Sequence, residues 1–280
     1  MVSPNDDNNK TPSIAQRFCN FFSNIPRSLK QKSLPLKDFV WRIPNITRLC
    51  TTAVFKFKYV PKISIENQLK RLSKKKPSGV DNIPARLLRD SATAISQPIT
   101  YLINLSLQTG NIPEEWKTAR ITPIHKSGSI TSTDNYRPIS VLPILSKILE
   151  SNVHTQLMEY VERHGLLSKN QFGYRTKRST ELATTLFLDN IRRSIDNGNI
   201  VGALFVDLSK AFDTLGHSVL LNKLSAYGVK GQELIWFKQY LFNRKQTVQY
   251  GIETSQSMHF NDIEDSILQY SLMMFADDTV

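Results

Sequence analysis

Cysteine is nearly absent: Cys19 and Cys50 are the only two in 280 residues, and no paired spacing surrounds them. That excludes a disulfide framework and a zinc finger, and it points to a reducing compartment. The five histidines show no ligand spacing either. No apolar run is long enough to cross a bilayer. The first ten residues are polar and carry two aspartates, unlike a signal peptide. These absences predict an intracellular protein, nuclear or cytoplasmic, with no membrane partner. Nothing in the sequence sets an oligomeric state. What is present is ordinary for a globular chain: 40% hydrophobic residues, 11 Gly and 13 Pro, enough to bury a core.

The charge is uneven. The chain carries a net +12, and residues 1–80 alone hold 16 Lys and Arg against 4 Asp and Glu. Residues 81–280 hold 20 of each. The basic part ends in Lys74-Lys75-Lys76, and such a block attracts phosphates by Coulomb force and counterion release. A solvated arm without a partner has the same composition.

Periodicity predicts a short helix from Ser13 to Phe22 and an amphipathic one from Ser64 to Leu72, with Ile65 and Leu69 inward. Lys74 to Asp81 reads as a turn. A helix follows over about 84–109, with Gly110 as its C-terminal cap. Residues 119–126 read as a strand in which Pro123 marks an edge or bulge, and 136–142 as a second strand. Further helices are expected over about 143–163, 217–227 and 231–242, with a strand at Thr247 to Tyr250. Two apolar, β-leaning runs end on carboxylates: Asn199 to Asp207, and Leu268 to Phe275 before Asp277-Asp278.

If those two strands pair, Asp207, Asp277 and Asp278 converge. Three anions at one point repel and need cations. Their hard oxygen atoms suit Mg²⁺, with Mn²⁺ as an alternative, and two such ions can drive phosphoryl transfer. On spacing alone, the same aspartates serve equally well as residues that end strands and start turns.

The motifs around them resemble those of one family. Phe205-Val-Asp-Leu-Ser-Lys-Ala-Phe-Asp-Thr214, with His217, resembles the first palm motif of non-LTR (LINE) retrotransposon reverse transcriptases. Phe275-Ala-Asp-Asp-Thr279 resembles their metal-binding motif. Tyr136-Arg-Pro-Ile-Ser140 with Lys147 and Glu150, preceded by Trp116 and Pro123-Ile-His-Lys126, resembles their fingers motif. Asn170 to Arg175 resembles the next, and Lys76 to Pro84 the one that opens the domain. The order is the family's, over residues from about 64 to 280, and the jockey-like branch is the nearest in pattern.

The resemblance implies an α+β fold: the fingers and palm of a right-hand polymerase, its antiparallel palm sheet backed by helices. It divides the chain into a basic extension (1–63), fingers (64–198) and a partial palm (199–280). It implies RNA-directed DNA synthesis with an RNA template, a DNA primer, dNTP substrates and two Mg²⁺ ions. Asp207, Asp277 and Asp278 would be catalytic and hold the metals. Lys126 and Arg137 would grip the triphosphate, and Phe212 would exclude a ribose 2′-hydroxyl. Gln171 to Arg175 would border the template path.

The sequence also departs from the family. Gln249 to Tyr270 lacks the Gln-Gly-containing palm block, of which only Phe260-Asn-Asp-Ile263 resembles the end, so a deletion is expected between about Met258 and Phe260. The return strand after Asp278 and the thumb are expected to be absent. The last thirty residues carry six acids and no Lys or Arg. Little or no synthesis is therefore expected of this chain. The alternatives are a remnant that only binds nucleic acid, or a two-metal nuclease using the same aspartates.

Overall fold

The computed structural model describes residues 12–32, 51–206 and 216–259. Eight α-helices are formed among them: α1 (Ile14–Lys32), α2 (Lys62–Lys70), α3 (Ala85–Asp90), α4 (Ala92–Thr109), α5 (Ile144–Arg163), α6 (Thr180–Asp196), α7 (His217–Ala226) and α8 (Gly231–Leu241). The strands are β1 (Thr118–His125), β2 (Tyr136–Val141), β3 (Lys245–Tyr250), β4 (Glu253–Thr254) and β5 (Met258–His259). Most of the helices lie where the apolar spacing places them. Two depart from expectation: α1 runs ten residues past Phe22 to Lys32, and the helix expected over 84–109 breaks at Ser91. There the Ser91 hydroxyl donates to the Leu87 carbonyl at 2.7 Å, an alternative to the regular helical ladder. Gly110, at φ 76°, caps α4 and donates its N–H to the Ser106 carbonyl.

The main core is helical. Ile65 and Leu69 of α2 are fully buried and pack against α4, which contributes Ile99, Ile103 and Leu107. Ile144, Ile148, Leu149 and Val153 of α5 join them, as do Leu224 of α7 and Trp236 and Phe237 of α8. Trp236 is buried without stranding its indole N–H, which donates to the Ser106 hydroxyl at 3.2 Å. Residues 53–60 lie across this core in extended form. Asn104 serves that segment as a strand partner would: its Oδ1 accepts from Val60 N at 2.8 Å, and its Nδ2 donates to Val60 O at 2.9 Å. Further back, Phe55 donates to the Gly228 carbonyl, and Phe55 and Val229 form a parallel bridge.

The sheet is mixed. Its order is β2-β1-β3-β4, and β5 also pairs with β3. β1 runs antiparallel to β2 and parallel to β3, so the sheet joins strands from both sides of residue 198. β1 is therefore central rather than the edge strand that Pro123 suggested. The proline is accommodated because pairing with β3 stops at Ile121↔Val248, short of it. On the other side Pro123 faces Pro138, and two residues without an N–H can face each other only where no hydrogen bond is exchanged.

Two further differences are instructive. The apolar run expected as a strand over 199–207 forms no strand in its described part, 199–206, and Ile200, Leu204, Phe205 and Val206 are exposed. A strand satisfies its backbone only by pairing, and the expected partner, 268–275, lies outside the described residues. The helix α6 was not foreseen. Ser179 caps it, accepting from Leu182 N at 3.1 Å. Its Leu182, Leu186 and Phe187 remain partly exposed, and Phe187 meets Phe205 edge-on with ring centroids 5.8 Å apart.

Gly228 and Gly198 both adopt φ near +80° but differ in surroundings. A Cβ on Gly228 would sit 2.2 Å from the Ala53 carbonyl oxygen and 2.4 Å from the Tyr160 hydroxyl, whereas one on Gly198 would meet nothing. Gly198→Ala should thus cost about 1–2 kcal/mol, the left-handed penalty alone. Gly228→Ala adds overpacking and should cost about 2–5 kcal/mol. Chemical denaturation separates the two, and equal losses would contradict the docking of residues 53–55 at this turn. Asn104→Ala leaves the Val60 N–H and C=O unpaired in the core. It should cost about 1–3 kcal/mol in the same experiment, and an unchanged midpoint would contradict the strand-partner role.

Candidate nucleotide-binding face

The β1–β2 hairpin carries both of the described residues that the sequence assigns to nucleotide binding. Its register pairs Ile124 with Arg137 and His125 with Tyr136. One more backbone bond, from Lys126 N to Asn135 O at 2.8 Å, extends the ladder to the loop. The loop is tied down from within. Asn135 Nδ2 donates to the Ser129 carbonyl at 2.8 Å, and the Tyr136 hydroxyl donates to the Ile130 carbonyl at 3.0 Å. Gly128 turns there at φ 83°.

Side chains alternate across a strand, so the register fixes what shares a face. Ala119, Ile121, Tyr136, Val248 and Met258 belong to one face, and α1 covers it with Phe18, Cys19 and Phe22. Phe18 packs edge-on to Tyr136 at 4.7 Å between centroids. The opposite face carries Arg120, Thr122, Ile124 and Lys126 from β1 and its extension, with Arg137 and Ile139 from β2. Lys126 and Arg137 are therefore diagonal neighbours on that uncovered face, about 7–8 Å apart at Cα. Both are exposed, and neither forms an ion pair among the described residues. A planar guanidinium beside a point charge suits a chain of phosphates.

The base of the same face is also cationic. Arg120 donates through Nη2 to the Ser78 carbonyl, while its buried Nε has no hydrogen-bond partner. Lys147, the fourth residue of α5, is partly buried. Burial, and then the nearby charge of Lys76, hold its ammonium below the usual lysine range, against a weaker opposite pull from Glu150. Lys147 belongs to the fingers motif without an assigned contact, and Arg120 is in no motif. For Arg120 the signal was available, since it lies three alternations before Lys126 in one extended run.

Other assigned residues fall differently. Arg175 is occupied: it donates to both Glu162 carboxylate oxygens, at 2.8 and 2.7 Å, and to the Ser168 carbonyl at 2.7 Å. That bond holds the Glu162 carboxyl below its ordinary range. Asp207, Phe212, Asp277 and Asp278 lie outside the described residues. Among the described residues no group of three or more His, Cys, Asp or Glu could hold a metal ion, and no helix is long and apolar enough to cross a membrane. A cavity of about 250 Å³ opens on the α1 side, lined by Phe22, Ile25, Ile121, Pro138, Ser140 and His217 among others. It lies on the face opposite Lys126 and Arg137.

Known proteins match this region. Residues 124–280 match the family model described as reverse transcriptase (RNA-dependent DNA polymerase). A Drosophila melanogaster protein named probable RNA-directed DNA polymerase from transposon BS is 30% identical over 188 residues, 65% of this chain and 20% of that protein. The RNA-directed DNA polymerase from mobile element jockey of the same species is 33% identical over 163 residues, 57% of this chain and 18% of that protein. A Pol polyprotein from the type-1 retrotransposable element R2 of Popillia japonica is 30% identical over 128 residues, 45% of this chain and 17% of that protein. The chain thus spans about a fifth of the length of these relatives. With the hairpin and the matched motifs together, the chain belongs to the reverse transcriptase family, among its jockey-like non-LTR retrotransposon members.

Proposed function

We propose that this chain carries the nucleotide-gripping fingers and part of the palm of an RNA-directed DNA polymerase. In that role Lys126 and Arg137 hold the triphosphate of the incoming dNTP over an RNA template paired with a DNA primer. The observation that carries the reading is the placement of both side chains on the uncovered face of one hairpin, within residues that match the family. Asp207, Asp277 and Asp278 supply a donor set of hard carboxylate oxygens, the kind that Mg²⁺ takes. Two Mg²⁺ ions held there, or Mn²⁺ in their place, would activate the primer 3′-hydroxyl and stabilise the leaving pyrophosphate. Phe212 would stand beneath the sugar and leave no room for a 2′-hydroxyl.

By itself the chain is proposed to synthesise little DNA. The stretch from Gln249 to Tyr270 lacks the palm block found in the family, and the run leading to Asp207 is exposed and unpaired through Val206. Metal-site geometry tolerates little looseness. A second reading, a remnant that only binds nucleic acid, is favoured by the concentration of basic residues before residue 80.

Two experiments follow. Primer extension on an RNA template with Mg²⁺ and dNTPs should give at most traces of product, and Asp207→Ala should abolish those traces. Robust synthesis that depends on Asp207 would overturn the inactivity. Separately, Lys126→Ala and Arg137→Ala should each weaken binding of a fluorescent deoxynucleoside triphosphate about tenfold or more, the scale of one charge-assisted hydrogen bond. Unchanged affinity in both variants would remove the triphosphate grip from this hairpin.

A further inference from the structure

We infer that Lys76 and Lys147, backed by Arg120, form a seat for a backbone phosphate of a nucleic-acid strand lying across the base of the hairpin's uncovered face. The inference rests on the family's nucleic-acid chemistry but not on catalysis by this chain.

The seat is built from a turn pinned on three sides. Gly79 is pressed against the start of α5, where a Cβ would meet Pro143 N at 2.4 Å and the Leu142 carbonyl carbon at 2.8 Å. Ser78 gives its carbonyl to Arg120. Lys74 pairs with Asp90 at 3.4 Å. Lys76 lies between these anchors, and Lys147 lies one helical turn beyond Pro143, to whose carbonyl its own N–H donates at 3.2 Å. The fold thus packs the turn that carries Lys76 against the start of α5, close enough for its charge to act on Lys147, and ties the Arg120 guanidinium to Ser78 of the same turn.

Among the described residues no acid forms an ion pair with Lys76 or Lys147. Glu150, which pulls weakly on Lys147, accepts the Tyr240 hydroxyl at 2.7 Å. Like charges held close in a partly buried place destabilise the unliganded protein, and an anion relieves them. The three lysines in sequence are therefore unequal. Lys74 is paired, Lys75 is exposed and Lys76 is partly buried at the seat.

Position selects a polynucleotide over a free nucleotide. Arg120 precedes Ile124, the partner of Arg137, by four residues of β1. At ~3.3 Å per residue that is about 13 Å, beyond the span of one triphosphate held at Lys126 and Arg137. A strand crossing the hairpin offers phosphates at both places.

The test is equilibrium binding of a fluorescein-labelled single-stranded RNA oligonucleotide across a salt series, using the full chain. Lys76→Gln and Lys147→Gln should each flatten the log–log salt slope by about 0.7, the value for one phosphate on a single strand. Lys75→Gln, with the same formal charge change, should leave the slope in place, and Lys147→Arg should retain it. Lys147→Gln should also raise the thermal midpoint of the RNA-free chain, because a desolvated like charge is removed. Equal effects at Lys75 and Lys76 would reduce the seat to a diffuse basic block and overturn it. An unchanged slope with a lowered midpoint in Lys147→Gln would make that lysine structural. A loss of affinity for a labelled deoxynucleoside triphosphate, with RNA binding intact, would assign the seat to the nucleotide instead. If the unchanged chain binds no RNA at low salt, the nucleic-acid reading fails as a whole; if RNA binds and only the variant slopes fail to move, only the seat is lost.

Discussion

Side-chain alternation along β1 and β2 decides what chemistry each face of the sheet can carry. The register that pairs Ile124 with Arg137 puts Ala119, Ile121 and Tyr136 on one side and Arg120, Lys126 and Arg137 on the other. A shift of one residue would turn the cations into the aromatic layer of α1 and the apolar residues out to water. The register is held by that apolar layer. Phe18 and Phe22 are nearly fully buried over Ala119, Ile121 and Val248, and burying each such ring stabilises by about 1.5–3 kcal/mol. α1 therefore determines which face stays uncovered, although it contributes no charged group to that face.

The cationic face follows from this asymmetry. Its tip holds two side chains that form no ion pair among the described residues, on a loop tied by its own amide and hydroxyl groups. Its base holds a turn anchored through Gly79 and Ser78. Rigid placement of like charges is costly to the fold, and it is a common arrangement where a protein meets polyphosphate.

The sequence made much of the helical scaffold readable, because a buried helical stripe leaves a strong period. Ile65 and Leu69 lie inward as their spacing required, and α5, α7 and α8 begin and end within a residue or two of the expected bounds. Short-range rules missed what depends on distant partners. β3 joins β1 in parallel across more than a hundred residues, and this makes a central strand of one that its proline marked as an edge. The break at Ser91 is a single local hydrogen bond. α6 was legible too, since Leu182, Leu186, Ile191 and Ile195 recur near helical spacing behind the Ser179 cap, although none of its residues is buried. Of the candidate site, Lys126 and Arg137 were identifiable by motif, but that they share a face required the register. Lys147 was part of the fingers motif, but only the packing of the Gly79 turn on the start of α5 brings the Lys76 segment near it.

The competing place for an anion is the cavity on the α1 side, near Ser140 and His217. Photo-crosslinking with a deoxynucleoside triphosphate carrying an arylazide on its γ-phosphate, followed by peptide mapping, distinguishes the two faces directly. Adducts confined to the peptide that contains Lys126 and Arg137 are the predicted result. Adducts on Phe22, Ser140 or His217, with the hairpin tip unlabelled, would place the triphosphate on the wrong side of the sheet and contradict the account.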